Sequence, residues 1–217
     1  MNEKECMKIG VFGSSGFSRE VADICIALNY SAIVFIDFQP TDHQYFGFPL
    51  ISEGNLSELI NENYSFAIGA GDNRVRNEIY KKHTGLVYPN LIHPSATMGY
   101  NQLEELETKK GNIVAAGVRL TNNIKVGNFG IFNLNCTVGH DSIFGDFISI
   151  APGATVSGNV QIQDGAYVGT NSAIIQGKSI EDKLIIGEYS MIGAGSVVIS
   201  NVDPHSVYVG VPAKKIK

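Results

Sequence analysis

Two adjacent residues of this 217-residue chain, His140 and Asp141, have the types and spacing of an acid–base pair. An imidazole that is oriented by a neighbouring carboxylate can take up a proton near neutral pH, which makes it a suitable general base. A lone surface histidine is more often idle, but Asn133 and Asn135 precede the pair closely and add further polar side chains. The pair is therefore the first candidate for chemistry, as the base that activates a nucleophile.

The stretch that must position this pair is a six-residue repeat. Every sixth residue across it is aliphatic or Phe, and no step is missed. Neither a helical nor a strand period produces this pattern, whereas a hexapeptide repeat does. One hexad cannot bury its own apolar residue, so the units must wind and stack around an apolar column. The column positions are Val114, Leu120, Val126, Phe132, Val138, Phe144, Ile150, Val156, Ile162, Val168, Ile174, Ile180, Ile186, Ile192 and Val198.

The hexad pattern resembles the left-handed parallel β-helix of hexapeptide-repeat acyltransferases. This resemblance implies three hexads in each triangular coil of about 18 residues, about five coils in all, and a coil spacing of about 4.8 Å. Residues one coil apart then lie above one another on the same corner. Gly158 is expected over His140, with Gln176 and Ala194 continuing the column. A glycine N–H at that place could polarise a carbonyl and stabilise the oxyanion that forms when a nucleophile attacks it.

The beginning of the chain is predicted to be a small α/β domain. Lys8–Gly13 is predicted as a strand, Phe17–Asn29 as a helix and Ala32–Asp37 as a second strand. The turn Gly13-Ser14-Ser15-Gly16 between strand and helix suits a phosphate or pyrophosphate, because backbone N–H groups and the helix dipole meet there. The G-x-G-x-x-G spacing of a dinucleotide site is incomplete, which argues against NAD.

A second glycine-bearing turn, residues 69–73, follows the predicted strand Ser65–Ile68 and precedes the predicted helix Asp72–His83. A further helix is predicted over Gly54–Asn63 and a last strand over Leu86–Ile92. Both glycine turns would meet the end of the second strand at one carboxyl edge of a parallel sheet, where ligands collect, although plain turns also favour Gly and Asn. The candidate nucleotide-binding residues are Gly13, Ser14, Ser15, Gly16, Asp37, Gly71 and Asn73.

The change of periodicity near residue 90 predicts two domains. Residues 1–92 are expected to form a Rossmann-like domain, and residues 93–217 a β-helix with a C-terminal tail. Met98 begins a first hexad, but its spacing to Val114 breaks the phase across the charged segment Leu103–Lys110. A loop or short helix is expected to protrude there.

Composition excludes several function classes. The net charge is −5 and no basic run interleaved with aromatic residues is present, which excludes a nucleic-acid partner. Cys6, Cys25 and Cys136 form an odd set without metal-ligand spacing, so no metal is expected and reduced thiols in the cytoplasm fit best. Neither a leader pattern nor a long apolar run occurs, so no membrane partner is predicted.

Several motifs together resemble the sialic-acid O-acetyltransferase (NeuD) family. That family includes the N-acetyltransferases acting on nucleotide-linked 4-amino-4,6-dideoxy sugars of the bacillosamine, perosamine and viosamine type. The resemblance covers nearly the whole chain. It rests on Val138-Gly139-His140-Asp141, the coil Ile192–Val198, the ending Val209–Lys214, both N-terminal glycine turns and His93-Pro94-Ser95-Ala96.

The resemblance implies direct acetyl transfer from acetyl-CoA to a nucleotide-linked amino sugar. His140 would take the proton of the sugar amine, Asp141 would orient the ring and the Gly158 N–H would hold the carbonyl oxygen. The N-terminal domain would bind the nucleotide, and Asn133 would line the sugar pocket. The family further implies a homotrimer with acetyl-CoA in the cleft between neighbouring β-helices. Its contacts are expected at Gly158, Gly177, Gly193, Ala194 and Pro212.

The chain departs from the family pattern at four positions. Asp141 is shorter than the Glu that follows the base in bacillosamine-type enzymes, and Ser149 replaces a second His. Phe17 and Phe38 stand where polar residues are frequent, which leaves the identity of the nucleotide open.

Three alternatives compete with this hypothesis. O-acetylation of a sialic-acid-like sugar differs by one acceptor atom, although a free sugar would not need a nucleotide pocket. A metal-dependent hydratase on the same β-helix needs three converging His, and only His140 lies within the repeat. A structural or ice-binding β-helix would present arrays of Thr, which the outward positions lack.

Overall fold

The computed structural model describes residues 7–217, and Cys6 lies outside that range. The chain divides into two compact units, of which the first ends at Leu91 and the second is Ile92–Lys217.

The first unit is a five-stranded sheet with three helices. Its strands lie in the order β3-β4-β2-β1-β5, in which β4, β2, β1 and β5 are parallel and β3 is antiparallel to β4. The buried core includes the central strand and one face of the first helix, because apolar residues recur there at strand and helical spacing. The elements are β1 (Lys8–Phe12), α1 (Gly16–Ala27), β2 (Ala32–Asp37), β3 (Gln44–Tyr45), β4 (Phe48–Ser52), a 3₁₀ turn (Glu53–Asn55), α2 (Leu56–Asn61), β5 (Ser65–Ile68) and α3 (Asn73–Lys82).

Two parts of the first unit differ from the sequence-based prediction. The hairpin β3–β4 was not predicted; Phe46 and Gly47 form its turn with φ values of 52° and 82°. The predicted strand Leu86–Ile92 is wrong over most of its length, because only Leu91–Ile92 is a strand (β6). Pro89 has no N–H to donate to a ladder, which interrupts strand pairing in this segment.

The second unit is a parallel β-helix whose short strands form three faces. One face has the order β22-β21-β19-β16-β13-β10-β8-β6, the second β20-β17-β14-β11-β9-β7 and the third β12-β15-β18. After β6 the elements are β7 (Thr97–Met98), α4 (Gln102–Glu107), β8 (Ile113–Val114), β9 (Arg119–Leu120), β10 (Ile131–Phe132), β11 (Thr137–Val138), β12 (Ile143–Phe144), β13 (Ser149–Ile150), β14 (Thr155–Val156), β15 (Val160–Ile162), β16 (Tyr167–Val168), β17 (Ala173–Ile174), β18 (Leu184–Ile186), β19 (Met191–Ile192), β20 (Val197–Val198), β21 (Val207–Val209) and β22 (Lys214–Lys215).

The hexad column forms the core of this unit, with one exception. Its predicted positions are 0 to 4% exposed, whereas Ile180 is 56% exposed. The strand register explains the difference: Thr137 pairs with Thr155, three hexads later, but Val160 pairs with Leu184, four hexads later. One hexad therefore leaves the coil as a loop, and the prediction that Ile180 belongs to the column is wrong.

The phase break before Val114 contains the predicted protrusion. It is the helix α4, which begins at Gln102. The Gln102 amide is buried, donates to the carbonyl oxygen of Ile124 at 2.8 Å and accepts from the Ile124 N–H at 3.0 Å. Leu106 enters the core of the β-helix, so the helix is fixed to the coil beside it.

Candidate active site

His140 and Asp141 lie at the corner turn between β11 and β12. Val138 points into the core, and His140, two residues later, is exposed. Asp141 has a φ of 58°, the left-handed conformation that Asn and Asp adopt more readily than other side chains. Asn123 and Asn159, one coil to either side, have φ values of 53° and 56°. The same turn is thus repeated on adjacent coils, and it holds the histidine outside the column.

Hydrogen bonds fix the Asp141 carboxylate on both oxygens. Oδ2 lies 2.6 Å from Nδ1 of His140, and Oδ1 accepts from Nδ2 of Asn123 at 2.5 Å. The bond from Asn123, followed by that from His140, lowers the pKa of Asp141 below its ordinary value. An ionised carboxylate only accepts, so Nδ1 of His140 is the donor in this contact, and in the neutral imidazole Nε2 is then the acceptor. An imidazole nitrogen exposed in this way can accept a proton from a substrate. Asn123 was missed by the sequence analysis, although its position one coil before Asp141 could have indicated it.

The His140 ring lies across the α-carbon of Gly158. A Cβ added at residue 158 would come within 2.8 Å of Cε1 and Nε2 of the imidazole. The main-chain amide of Asn159 donates to the carbonyl oxygen of His140 at 2.9 Å, which holds the two coils in register. Among residues 7–217 the N–H of Gly158 has no acceptor. A free main-chain donor therefore lies next to the free imidazole nitrogen.

The column above Gly158 differs from the expected one. Gly177 N–H donates to the carbonyl oxygen of Gly158 at 3.0 Å, and Gln176 continues the column as predicted. Ala194 does not: it lies beside Gly169, where an added Cβ would be 2.7 Å from the Ala194 nitrogen. The looped-out hexad shifts the later residues by six positions, so the expectation that Ala194 continues the column is wrong.

The predicted cofactor and sugar contacts fall on different parts of the β-helix. Gly177 shares the corner of His140 and lines a cleft of about 310 Å³. Asn133, Gly193 and Ala194 follow strands of another face, so they lie on a different corner. Pro212 is exposed in the tail between β21 and β22. A single copy of the chain does not bring these residues to His140.

The Ser14 turn and Asp37 meet at the carboxyl edge of the first unit. Gly13 has a φ of 105°, and its N–H donates to the Ile36 carbonyl oxygen at 2.8 Å. The Ser14 hydroxyl donates to Oδ2 of Asp37. Ser15 caps helix α1, which begins at Gly16. The structure thus joins the first turn and the acidic end of β2, as the sequence indicated.

The second turn lies beside the first and is held by a residue that the sequence analysis missed. An added Cβ at Gly13 would be 3.5 Å from the Gly69 carbonyl oxygen, which places the two turns in contact. The buried Arg76 guanidinium donates to the carbonyl oxygens of Ala70 at 3.2 Å and Gly71 at 2.8 Å. Burial lowers the pKa of Arg76 to about 10. No signal in the sequence distinguished Arg76, because helix α3 also carries Arg74, Glu78, Lys81 and Lys82.

Asp72 caps helix α3, which begins at Asn73. Its Oδ1 accepts from the main-chain N–H groups of Arg74 at 2.8 Å and Val75 at 3.0 Å. Gly71 is exposed and has open space beside its α-carbon. The turn therefore leaves room for a ligand beside Gly71 and Asn73.

Two exposed aromatic rings lie close to cations in the first unit. Phe38 is 68% exposed, and the Lys82 ammonium lies 5.4 Å from its ring centroid. Phe46 is 60% exposed, and the Arg19 guanidinium lies 5.3 Å from its centroid. Phe38 directly follows Asp37. A flat apolar surface thus lies next to the acidic residue of the candidate nucleotide site.

Residues 7–217 contain no group of three or more His, Cys, Asp or Glu arranged to hold a metal ion. In the same part of the chain, none of the helices has the length and apolar character needed to cross a bilayer.

Comparison with known proteins bears on the chemistry of this site. Residues 8–83 match the PglD N-terminal domain. GDP-perosamine N-acetyltransferase of Escherichia coli O157:H7 is 27% identical over 219 residues, which cover 96% of each chain. The chain is thus similar, over nearly its whole length, to an N-acetyltransferase of a nucleotide-linked amino sugar. Its predicted resemblance to this family is therefore confirmed.

Two solved structures have the same fold over nearly their whole length. The acetyltransferase domain of PglB from Neisseria gonorrhoeae FA1090, in complex with acetyl coenzyme A, is 29% identical with a TM-score of 0.85, covering 96% of this chain and 98% of that one. PerB from Caulobacter crescentus, in complex with CoA and GDP-perosamine, is 25% identical with a TM-score of 0.84, covering 97% of each. The predicted acetyltransferase and its acetyl-CoA co-substrate are confirmed at the level of the family.

Proposed function

We propose that this protein transfers the acetyl group of acetyl-CoA to the 4-amino group of a nucleotide-linked 4-amino-4,6-dideoxy sugar. The observation that carries the proposal is the His140 imidazole lying on Gly158, with an unpaired Nε2 beside an N–H that has no acceptor among residues 7–217. The relatives named for perosamine N-acetylation favour an amine as the acceptor over the alternative sugar hydroxyl.

In the proposed reaction the sugar amine attacks the thioester carbonyl carbon directly. A C–N bond forms as the C–S bond breaks, and the CoA thiolate leaves and is then protonated. Nε2 of His140 takes the proton that the amine loses, and Asp141 stabilises the resulting imidazolium. The Gly158 N–H donates to the carbonyl oxygen as negative charge develops on it. Because no covalent enzyme intermediate is used, the rate depends on holding both substrates in register.

We assign the nucleotide to the first unit, as a Rossmann-like domain. The contact between the two glycine turns and the Ser14–Asp37 hydrogen bond support this assignment. Gly13, Ser15, Gly16, Gly71 and Asn73 would surround the phosphates, and Phe38 would lie against the base.

A homotrimer of left-handed β-helices would complete the acetyl-CoA site. Its support is that Gly158 and Gly177 lie on one corner of the chain, whereas Gly193 and Ala194 lie on another. In a closed ring the corner of one copy that carries Gly193 and Ala194 could face the corner of the next copy that carries Gly158 and Gly177. Asn133 and Pro212 would reach the site in the same way. The protein is proposed to act in the cytoplasm, which agrees with the free, buried Cys25 and Cys136.

The experiment is a substrate panel. Purified protein is incubated with acetyl-CoA and with GDP-, dTDP- and UDP-linked 4-amino-4,6-dideoxy sugars, and released CoA is measured with a thiol reagent. Mass spectrometry of the product should show one added acetyl group on the sugar, and its resistance to hydroxylamine, which cleaves esters but not amides, should place it on nitrogen. A free sialic-acid-like sugar is the control acceptor. Turnover with that sugar alone, or no turnover with any acceptor of the panel, would refute the proposal.

A further inference from the structure

The looped-out hexad ends next to the His140 corner. Residues 178–183 follow Gly177 and account for the extra hexad between the paired residues Val160 and Leu184. The loop is closed on itself by main-chain hydrogen bonds: the N–H groups of Lys178 and Ser179 donate to the Asp182 carbonyl oxygen at 3.0 and 3.3 Å. The side chains of Lys178 and Asp182 also form an ion pair at 2.9 Å, but both are largely exposed, so this pair adds little to the closure. The closed loop therefore fixes the position of its last residue, Lys183.

Lys183 returns to the turn that carries Asp141. Its ammonium donates a hydrogen bond to the main-chain carbonyl oxygen of Asp141, 42 residues earlier in the chain. The next residue, Leu184, donates its N–H to the Asn159 carbonyl oxygen at 3.1 Å. At the other end of the loop, a Cβ on Gly177 would overlap that same oxygen and lie 3.0 Å from the α-carbon of Lys183. Both ends of the loop are thus packed against the coil above His140.

Asp141 is held from two directions. On one side its N–H donates to the Asn122 carbonyl oxygen at 3.3 Å, and its carboxylate accepts from Asn123. On the other side its carbonyl oxygen accepts from Lys183. The Lys183 charge also contributes, after the hydrogen bonds from Asn123 and His140, to lowering the pKa of the Asp141 carboxyl. The bonds from the coil on the Asn123 side come from the regular repeat, whereas Lys183 comes from the inserted loop.

We propose that Lys183 is a positioning residue of the acetyl-transfer site: its ammonium fixes the Asp141 main chain so that the carboxylate holds the His140 ring on Gly158. This inference rests on the proposed function. Without the ammonium the Asp141 carbonyl loses its donor, and the left-handed turn is held from one side only. A small shift of the carboxylate then moves Nε2 away from its place beside the Gly158 N–H. Misplacement of a catalytic group by about 1 Å can cost about 100-fold in rate.

Three variants distinguish the positioning role of Lys183 from two simpler roles, which are anchoring the loop and binding a phosphate of CoA. Lys183→Met removes the ammonium and keeps most of the chain length, Lys183→Arg keeps the charge and a donor, and Lys178→Met removes the other lysine of the same loop. We expect Lys183→Met to lower kcat by roughly 10- to 100-fold, with KM for acetyl-CoA and sugar within about twofold. Lys183→Arg should recover most of kcat, and Lys178→Met should match the parent.

A double-mutant cycle identifies the partner through which Lys183 acts. Adding Lys183→Met to Asp141→Asn should lower kcat by less than about twofold further, because the orientation that Lys183 supports is already lost. If the two substitutions instead lower kcat by independent factors that multiply in the double variant, the proposal is overturned. It is also overturned by a loss confined to KM for acetyl-CoA, which indicates phosphate binding, or by a lower Tm with unchanged kcat, which indicates a loop anchor only.

A crystal structure of Lys183→Met tests the inference without any assay. The Asp141 carbonyl should be displaced and the imidazole should leave Gly158; a ring that keeps its place overturns the inference. Absence of turnover in the parent protein with every acceptor, or full activity of His140→Ala, would instead refute the proposed function.

Discussion

The imidazole of His140 covers the α-carbon of Gly158, one coil further along the β-helix. An added Cβ at residue 158 would lie 2.8 Å from Nε2, closer than carbon and nitrogen approach without displacement. The same residue offers an N–H without an acceptor among residues 7–217. At this corner one coil takes three hexads, because Thr137 pairs with Thr155. The proposed base and the proposed oxyanion donor therefore lie side by side.

Gly158→Ala should inactivate the enzyme without unfolding it. The methyl group must push the ring away from the site, and we expect kcat to fall roughly 100-fold with little change in KM. Steady-state kinetics measures the effect. Gly85→Ala is the matched control, because an added Cβ there meets no atom within 4 Å. Equal activity of the two variants would contradict the role of the His140–Gly158 stack.

Asn123→Gly should change the pH profile. Glycine accepts the φ of 53° at this position, so the substitution removes the amide without straining the turn. Loss of the Asn123 bond raises the pKa of Asp141 towards its ordinary value. The carboxylate is then protonated at a higher pH, so the acid limb of kcat against pH should move upward.

Asn63→Gly is the control for that experiment, since Asn63 has a φ of 60° and lies in the first unit. Its profile should coincide with that of the parent. An unmoved acid limb in Asn123→Gly would mean that Asp141 does not govern the activity at low pH.

Arg76→Met should destabilise the first unit and weaken nucleotide binding together. The guanidinium donates to the carbonyl oxygens of Ala70 and Gly71, which the methionine leaves without a donor. We expect a loss of about 3 kcal/mol in the free energy of unfolding, measured by urea denaturation. Lys81→Met, an exposed change on the same helix, should cost less than about 0.5 kcal/mol. If Arg76→Met costs as little as Lys81→Met, the hydrogen bonds from Arg76 to the two carbonyl oxygens do not stabilise the turn.

Ile180→Ala and Ile186→Ala test the exception in the hexad column. Ile186 is fully buried, and its truncation should lower the free energy of unfolding by about 3 kcal/mol. Ile180 is 56% exposed, and its truncation should change that free energy by less than about 0.5 kcal/mol. Similar losses of unfolding free energy for both variants would mean that Ile180 is part of the buried column.

Much of this architecture could be predicted from the sequence, because each hexad repeats one physical requirement. A buried apolar residue every six positions fixes the coil, and the coil spacing then predicts the contact between His140 and Gly158. The bounds of β2 and β5 were likewise predictable, since β-branched and apolar residues fill them.

The main source of error is that the phase of the hexad repeat does not reveal an inserted hexad. Ile180 keeps the six-residue spacing while its hexad leaves the coil, so Ala194 was placed on the wrong corner. The contact of Lys183 with Asp141 depends on the conformation of the inserted loop, which spacing alone does not give. Asn123, in contrast, lies one coil before Asp141, and the coil period could have indicated it. Arg76 was missed because it is one of several charged residues of α3, and such residues normally face solvent.

The turnover of His140→Ala tests the central claim most directly. Released CoA is measured for the parent and the variant with acetyl-CoA and the best acceptor of the nucleotide-sugar panel, at saturating concentrations of both. Loss of a general base predicts a kcat that is roughly 100- to 10,000-fold lower, with the variant still folded and still binding CoA. A kcat within about twofold of the parent would contradict the account.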